Sequence, residues 1–358
     1  MKILLLEAFY SGSHKSWAEQ LQSHSEHEIE IVSLPGRHWK WRMHGAAVTF
    51  AEKIKDVIHK YDILLTTDMT DVATLRGLVR IDIPVVVYFH ENQLAYPWST
   101  TDTDVDKGWD RRYVWINYTT ALAADHLWFN SKYNMDSFLG QLPSFFHAFP
   151  DYNKIDVEAI SAYSDVLPLG IDLIPSSGLR SEVDVPIIVW NHRWEYDKGP
   201  ELFFNTLIKI KREGLKFKLI VLGTAGRKCP KIFAQSKEEL KDEIIHWGTV
   251  DAREKYISLI QSADILPVTA IQDFFGISVV EAISAGCTPL MPLALAYPEH
   301  ISPDDYPQLY YKSENEFLLK LKALIFETNL PDLSSHVQKY SWNKMIKKYD
   351  TAFTILRK

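Results

Sequence analysis

The sequence predicts an α/β protein of two doubly wound, Rossmann-like domains, each built on a parallel sheet, facing each other across a cleft. Three observations lead there. Short β-branched runs alternate with amphipathic helical stretches, the pattern of a parallel sheet wrapped by helices. The alternation stops at a segment rich in Pro, Gly and Ser and then begins again. The 358 residues exceed one ordinary core and suffice for two.

In the first half, strands are expected at Lys2–Leu6, Glu28–Ser33, Ile63–Thr67, Val85–Phe89 and His126–Phe129, with helices such as Ala46–His59 and Trp109–Ala124 between them. Leu167–Asp172 and then Pro175-Ser176-Ser177-Gly178 read as a linker. In the second half, strands are expected at Ile187–Trp190, Phe217–Leu222, Ile244–His246, Ile265–Pro267 and Thr288–Met291, and helices at Glu201–Glu213, Arg253–Ala263 and Ile277–Ala285. The expected domains are residues 1–172 and 183–340. Ser341 or Asn343 is a candidate cap for a last helix, 343–358, which is expected to complete the first domain. Ligands of such sheets bind outside the carboxyl ends of the strands, so residues just after a strand are the site candidates.

Composition narrows the class. Apolar (46%) and charged (24%) fractions are those of a soluble globular protein. Cys229 and Cys287 cannot form a disulfide framework and lack metal-ligand spacing, which points to a reducing compartment. The apolar N-terminus meets Glu7 too soon for a signal peptide, and no apolar stretch approaches the roughly 20 residues of a membrane span. The expected location is the cytoplasm. A net charge of −7 makes broad engagement of a nucleic-acid backbone unexpected, so any such contact should be local.

Two phosphate-binding motifs are missing: there is no G-x-x-x-x-G-K-[ST] and no G-x-G-x-x-G after a strand, and Gly223-Thr224-Ala225-Gly226-Arg227-Lys228 fits neither spacing. Instead, Trp190-Asn191-His192-Arg193-Trp194-Glu195-Tyr196-Asp197-Lys198-Gly199 follows an apolar strand and precedes a helix. Arg193 and Lys198 can converge on a diphosphate, the one as a fork and the other as a point charge. Read alone, they stand equally well as surface cations paired to Glu195 and Asp197. A second segment, Asp273-Phe274-Phe275-Gly276-Ile277-Ser278-Val279-Val280-Glu281, places two acids about a helix start, where free N–H groups also suit an anion. For Asp273 alone, helix capping is the stronger reading. Glu281 lies in an otherwise apolar helix and needs a partner.

Arg193-x4-Lys198-Gly199 with Asp273-x7-Glu281 resembles the donor signature of retaining GT-B glycosyltransferases, although Asp273 stands where that pattern has Glu. The segments Glu7–His14, Phe89-His90-Glu91-Asn92-Gln93, Phe129–Lys132, Trp190–Glu195 and Ala270–Gly276 narrow the resemblance, over nearly the whole chain, to the tRNA-queuosine mannosyltransferase family. The resemblance implies a nucleotide-sugar co-substrate, GDP-mannose, and transfer of mannose to queuosine in a tRNA anticodon loop. It implies that Arg193 and Lys198 hold the donor diphosphate, Asp273 the hexose and Glu281 the ribose. Gly248 and Val250 would lie near the nucleobase, Phe275 and Gly276 about the donor, Gly12 and Ser13 against the diphosphate, and His90 beside the sugar. Arg193, Lys198, Asp273 and His90 would then be the catalytic set.

For the acceptor, Leu34–His44 alternates bases with aromatics, and Arg37, Trp39, Lys40, Trp41 and Arg42 are candidates to stack bases and meet phosphates. Arg111 and Arg112 form a further basic patch, and His14, Glu91 and Asn92 lie on expected cleft loops. The plain alternative for Arg37–His44 is a loop of packed tryptophans and solvated charges. No metal, no other cofactor and no membrane contact is expected. Two further readings stay open: the same enzyme class acting on a glycan or small molecule, and a non-catalytic nucleotide-sugar or RNA-binding protein.

Overall fold

Residues 1–98, 102–147, 149–150, 156–176, 185–226 and 229–356 are described in a computed structural model. The chain divides into two units, Met1–Gly170 with Trp342–Lys358, and Ile171–Ser341. Ser177 and Gly178 of the expected linker, and Arg227 and Lys228, lie outside the described residues.

The first unit is a six-stranded parallel sheet: β1 (Lys2–Tyr10), β2 (Glu28–Pro35), β3 (Ile63–Thr67), β4 (Val85–Phe89), β5 (His126–Phe129) and β6 (Ser164–Val166), in the order β2-β1-β3-β4-β5-β6. β1 pairs with β3 through Ile3↔Ile63, and β3 with β4 through Leu64↔Val85. Every residue of β3 and β4 is buried. Helices cover both faces, which is why these strands read as continuous apolar runs and not as alternating ones. The order reverses at β1 and β3, so their carboxyl ends flank the switch-point crevice of this sheet.

One element departs from expectation. The helix expected from Ala46 begins at Trp39 and runs Trp39–Ile54, so the segment taken for a loop is mostly helical. Met43, Ala46, Ala47, Phe50 and Ile54 share its buried face, and Trp39 packs on the same core. The interleaved basic residues masked that 3.6-residue period. β1 also continues past Leu6 to Tyr10.

The last helix, Trp342–Leu356, buries Trp342, Met345, Tyr349 and Phe353 along one face. Trp17 donates its indole N–H to Tyr349 Oη at 3.1 Å, and that hydroxyl lies 3.0 Å from Tyr88 Oη and 3.1 Å from the Pro168 carbonyl. These bonds tie the end of the chain to the first unit.

The second unit has a separate sheet: β7 (Ile187–Asn191), β8 (Lys218–Leu222), β9 (Ile244–Gly248), β10 (Ile265–Pro267), β11 (Thr288–Pro292) and β12 (Tyr310–Tyr311), in the order β12-β11-β10-β7-β8-β9. Its reversal falls between β7 and β10. Trp190 on β7 is fully buried against Phe203 and Phe204 of the helix Pro200–Arg212. That packing anchors the strand whose carboxyl end carries the basic motif.

Replacing Tyr349 by Phe removes the acceptor of a buried indole N–H while keeping the ring's packing. The expected loss is about 1–3 kcal/mol of stability, read from urea unfolding.

Candidate functional site

In the second unit, two loops meet at the switch point. The loop after β7 carries His192 to Lys198, and the loop after β10 carries Val268 to Gly276. Gly199 (φ 62°) permits the approach: a Cβ there would fall 2.1 Å from the Thr269 carbonyl oxygen. Thr269 in turn donates its hydroxyl to the Lys198 carbonyl at 3.0 Å. Lys198 Nζ donates to the Gln272 carbonyl at 3.0 Å and lies 3.3 Å from Asp197 and 3.5 Å from Asp273. Burial pushes the Asp273 carboxyl up, but the Lys198 charge outweighs it and holds the group below its usual range, as an anion at neutral pH. The Tyr297 hydroxyl donates to it at 3.2 Å.

The two cations differ in surroundings. The Lys198 side chain is 12% exposed and that of Arg193 61%. Arg193 lies 3.2 Å from Glu195, so the surface pairing considered for it exists. An exposed pair of this kind is worth less than about 1 kcal/mol and yields readily to a doubly charged ligand. His192, next to Arg193 in the chain, is buried, with Nδ1 3.0 Å from Ser278 Oγ. Burial and then the Lys198 charge push it down to about 4, so it is neutral at pH 7. Its Nε2 has no partner among the described residues.

The helix Ile277–Ser284 starts from Gly276 at φ 85°, the Val279 and Val280 N–H groups both donating to the Gly276 carbonyl, and a helix start suits an anion. Glu281, one turn in, has the partner its burial demanded: Arg253 at 2.5 Å and the Tyr256 hydroxyl at 2.9 Å. Gly248 closes β9 at φ 121°, and Val250 is half-buried two residues on. Phe275, next to Gly276, is anchored from within the unit. Its ring is buried against Tyr340, and its carbonyl accepts from His300 Nε2 at 2.6 Å, so it shapes the loop from beneath.

In the first unit, Gly12 and Ser13 open the exposed first turn of the helix Gly12–His24. His14, next in line, is buried, and its Nδ1 lies 3.3 Å from Glu7, a fully buried carboxylate on β1. Burial opposes charge on His14, but Glu7 overrides it and raises the imidazole to about 9, so the two form an ion pair at neutral pH. His14 Nδ1 is therefore engaged by Glu7. Glu7 also accepts from the Phe9 N–H at 2.8 Å and from Thr67 Oγ1 at 3.3 Å.

His90 follows β4 with its ring 4.2 Å from that of His14, and burial keeps it neutral at pH 7. Its Nε2 has no partner among the described residues. Glu7, His14 and His90 each place one ligand-type atom within 4.8 Å of the others. The His14 proton already balances Glu7 there. The sequence also holds an Asp-x-Asp pair, Asp102-Thr103-Asp104, which the expectation of no metal passes over; both carboxylates are bound to Lys40 at 2.5–2.8 Å.

The acceptor candidates divide. Lys40 is held by Asp102 and Asp104, and Trp39 packs on Tyr113 and Trp98, so both are corrected from base or phosphate readers to pieces of local structure. Asn92 is fully buried, its amide donating to Asn134 at 2.8 Å and Ser137 at 3.0 Å, and it is corrected likewise. Glu91 is half-buried and accepts from Gln93 Nε2 at 3.0 Å. Trp41 (64% exposed), Arg37, Arg111 and Arg112 stand at the surface, while Arg42 donates to the Pro35 carbonyl at 3.2 Å. The Arg112 guanidinium lies 4.8 Å over the exposed Trp109 ring, and the Lys107 ammonium 4.7 Å from it.

Four residues that matter here carried no assigned role: His192, Arg253, Tyr256 and Asp68. His192 and Asp68 had a signal, since each is a polar residue directly after an apolar strand. Arg253 and Tyr256 had none, because their partner Glu281 is 28 and 25 residues away.

The His14–Glu7 pair makes stability depend on pH. Because His14 is raised above its ordinary value, its contribution, roughly 3 kcal/mol, is complete below about pH 6.5 and lost as pH rises through about 9. Glu7, Asp68, Glu91 and the neutral His90 face it. His14→Gln strands Glu7 and should cost about 3–5 kcal/mol at pH 6, with the gap to wild type closing by pH 10 in denaturant titrations.

Comparisons with known proteins cover both units. Residues 2–171 match the family described as tRNA-queuosine alpha-mannosyltransferase N-terminal, and residues 177–316 match Glycosyl transferases group 1. The chain is 34% identical over 313 residues to the tRNA-queuosine alpha-mannosyltransferase of Drosophila melanogaster, across 83% of this chain and 81% of that one. Among solved structures, sucrose-phosphate synthase from Thermosynechococcus elongatus superposes with a TM-score of 0.72 at 13% identity, over 99% of each chain. Anabaena HepE in complex with UDP gives 0.68 at 15%, over 99% of this chain and 100% of that one. These likenesses are of fold, the GT-B arrangement of two six-stranded parallel sheets with helices. With one shared architecture and a relative this similar along most of its length, the chain belongs to the tRNA-queuosine alpha-mannosyltransferase family and is a glycosyltransferase.

Proposed function

We propose that this enzyme transfers mannose from GDP-mannose, with retention, to the queuosine nucleoside of a tRNA anticodon loop. The observation that carries the donor half is the half-buried Lys198 beside Asp273 at the switch point of the second sheet. The acceptor half rests on the name of the fly relative and on the exposed Trp41, Trp109, Arg111 and Arg112.

Donor binding sets Lys198 and Arg193 on the diphosphate, with the first-turn N–H groups after Gly276 and the neutral His192 nearby. Asp273 accepts from a sugar hydroxyl, and Glu281 exchanges its present partners for the ribose. In the reaction, the acceptor oxygen bonds to the sugar's anomeric carbon as the bond to the diphosphate oxygen breaks. The electron pair leaves with the diphosphate, and the acceptor proton passes to a phosphate oxygen on the same face. The protein stabilises the departing charge, most strongly through the desolvated Lys198.

Lys198→Ala is expected to lower kcat/KM by about 10²–10³-fold with GDP-mannose and queuosine-containing tRNA, and Arg193→Ala by a similar or smaller factor. Unchanged rates in both would overturn the diphosphate assignment. GDP should raise the melting temperature more than UDP or ADP, in proportion to RT ln(1 + [L]/Kd); a preference for UDP would replace the donor. Reversing charge at Arg111 and Arg112 should weaken tRNA binding. The log–log slope of affinity against salt should flatten by about one for each phosphate the variant no longer neutralises, with GDP-mannose hydrolysis intact. Unaltered tRNA binding would favour a glycan or small-molecule acceptor.

A further inference from the structure

The carboxyl ends of β3 and β4 in the first unit enclose polar groups that no step above uses. Asp68 directly follows β3 and is fully buried. Its Oδ1 accepts from the His90 N–H at 2.9 Å, while Oδ2 is buried with no hydrogen-bond partner among the described residues. Asn117 joins it to the next loop, donating to the Asp68 carbonyl at 3.1 Å and accepting from the Gln93 N–H at 2.9 Å. Gln93 is 3% exposed; its amide nitrogen is bound to Glu91, and its Oε1 is again a buried acceptor without a partner among the described residues. Unmade hydrogen bonds of this kind each cost about 1–3 kcal/mol and persist where a ligand makes them.

Charge agrees with that reading. The groups acting on Asp68 are Glu91, His14 and Glu7, and the single cation among them is paired to Glu7. Asp68 is left beside a second acid, with no counter-charge of its own from this set. Burial first, and then Glu91, raise the Asp68 carboxyl to about 8. At neutral pH the carboxyl is therefore mostly protonated, and an adjoining cation would stabilise its ionised form; Asp68 Oδ2 and Gln93 Oε1 are left without partners among the described residues. Asp68 stands at the β1/β3 reversal, where a doubly wound sheet binds its ligand, and Gln93 lies just past β4.

We propose that Asp68 and Gln93 form the subsite that grips the reacting group of the acceptor, a hydroxylated ring bearing an ammonium. This inference rests on the proposed acceptor: the cyclopentene diol of queuosine is joined to its base through a secondary amine, cationic at neutral pH. The ammonium stabilises the ionised form of Asp68 and donates to its Oδ2, and the diol supplies a donor to Gln93 Oε1. Selection of the modified nucleoside then comes from desolvated acceptors that only it satisfies, while the exposed basic patch holds the RNA without reading that group.

The test uses full-length enzyme, GDP-mannose and queuosine-containing tRNA, native or acetylated at the secondary amine. Asp68→Asn preserves the size and the acceptor for the His90 N–H. It is expected to raise the KM for native tRNA about 10–100-fold with the KM for GDP-mannose and donor hydrolysis unchanged. Acetylation should weaken wild-type binding by a similar factor and Asp68→Asn hardly further. A wild-type KM in Asp68→Asn, or fully additive losses from variant and acetylation, would overturn the subsite. Should Asp68→Asn not fold, indifference of the wild type to acetylation would overturn it by itself. Failure of wild-type enzyme to modify native tRNA at all would instead sink the proposed function.

Discussion

A right-handed crossover carries the chain to one face of a parallel sheet, and the two directions of winding leave a gap where they diverge. Every group argued to do chemistry stands at or beside such a gap. In the second sheet it lies between β7 and β10, and the loops leaving those strands bring Lys198 to Asp273 and to Gln272, 74 residues along the chain. In the first it lies between β1 and β3, where Glu7 and Asp68 belong. The strand order comes from core packing, and the position of the sites is its consequence.

The two gaps handle charge in opposite ways. The second-unit site buries a cation among acids and leaves an exposed arginine and helix N–H groups about it, which suits a ligand of high negative charge. The first-unit site sets Asp68 near Glu91 and Glu7, with His14 paired to Glu7, and holds the Asp68 carboxyl up at about 8. Buried charge without a partner is costly, and a carboxyl avoids that cost by staying protonated.

Several aromatic and polar residues that read as surface features are parts of the frame. Trp39, Lys40 and Asn92 are closed into helix starts and loop turns by partners distant in sequence. Trp109, with Arg112 stacked on it, stays at the surface and presents both a π face and a charge.

Local pattern alone determined the two parallel sheets, because buried strands must be apolar throughout and their helices must be amphipathic. It also placed Arg193, Lys198, Asp273 and Glu281 after their strands, since motif spacing is a local property. The start of the helix at Trp39 escaped it, because the basic residues on the outer face blurred the period. So did β6 and β12, too short to show a pattern. Tertiary structure alone decided which charges face one another: Glu7 with His14, Glu281 with Arg253, and Asp68 with a second acid and the spent His14. Those pairings join separate strands and loops, and the strength of a charge interaction depends on burial and distance, which only the folded chain defines.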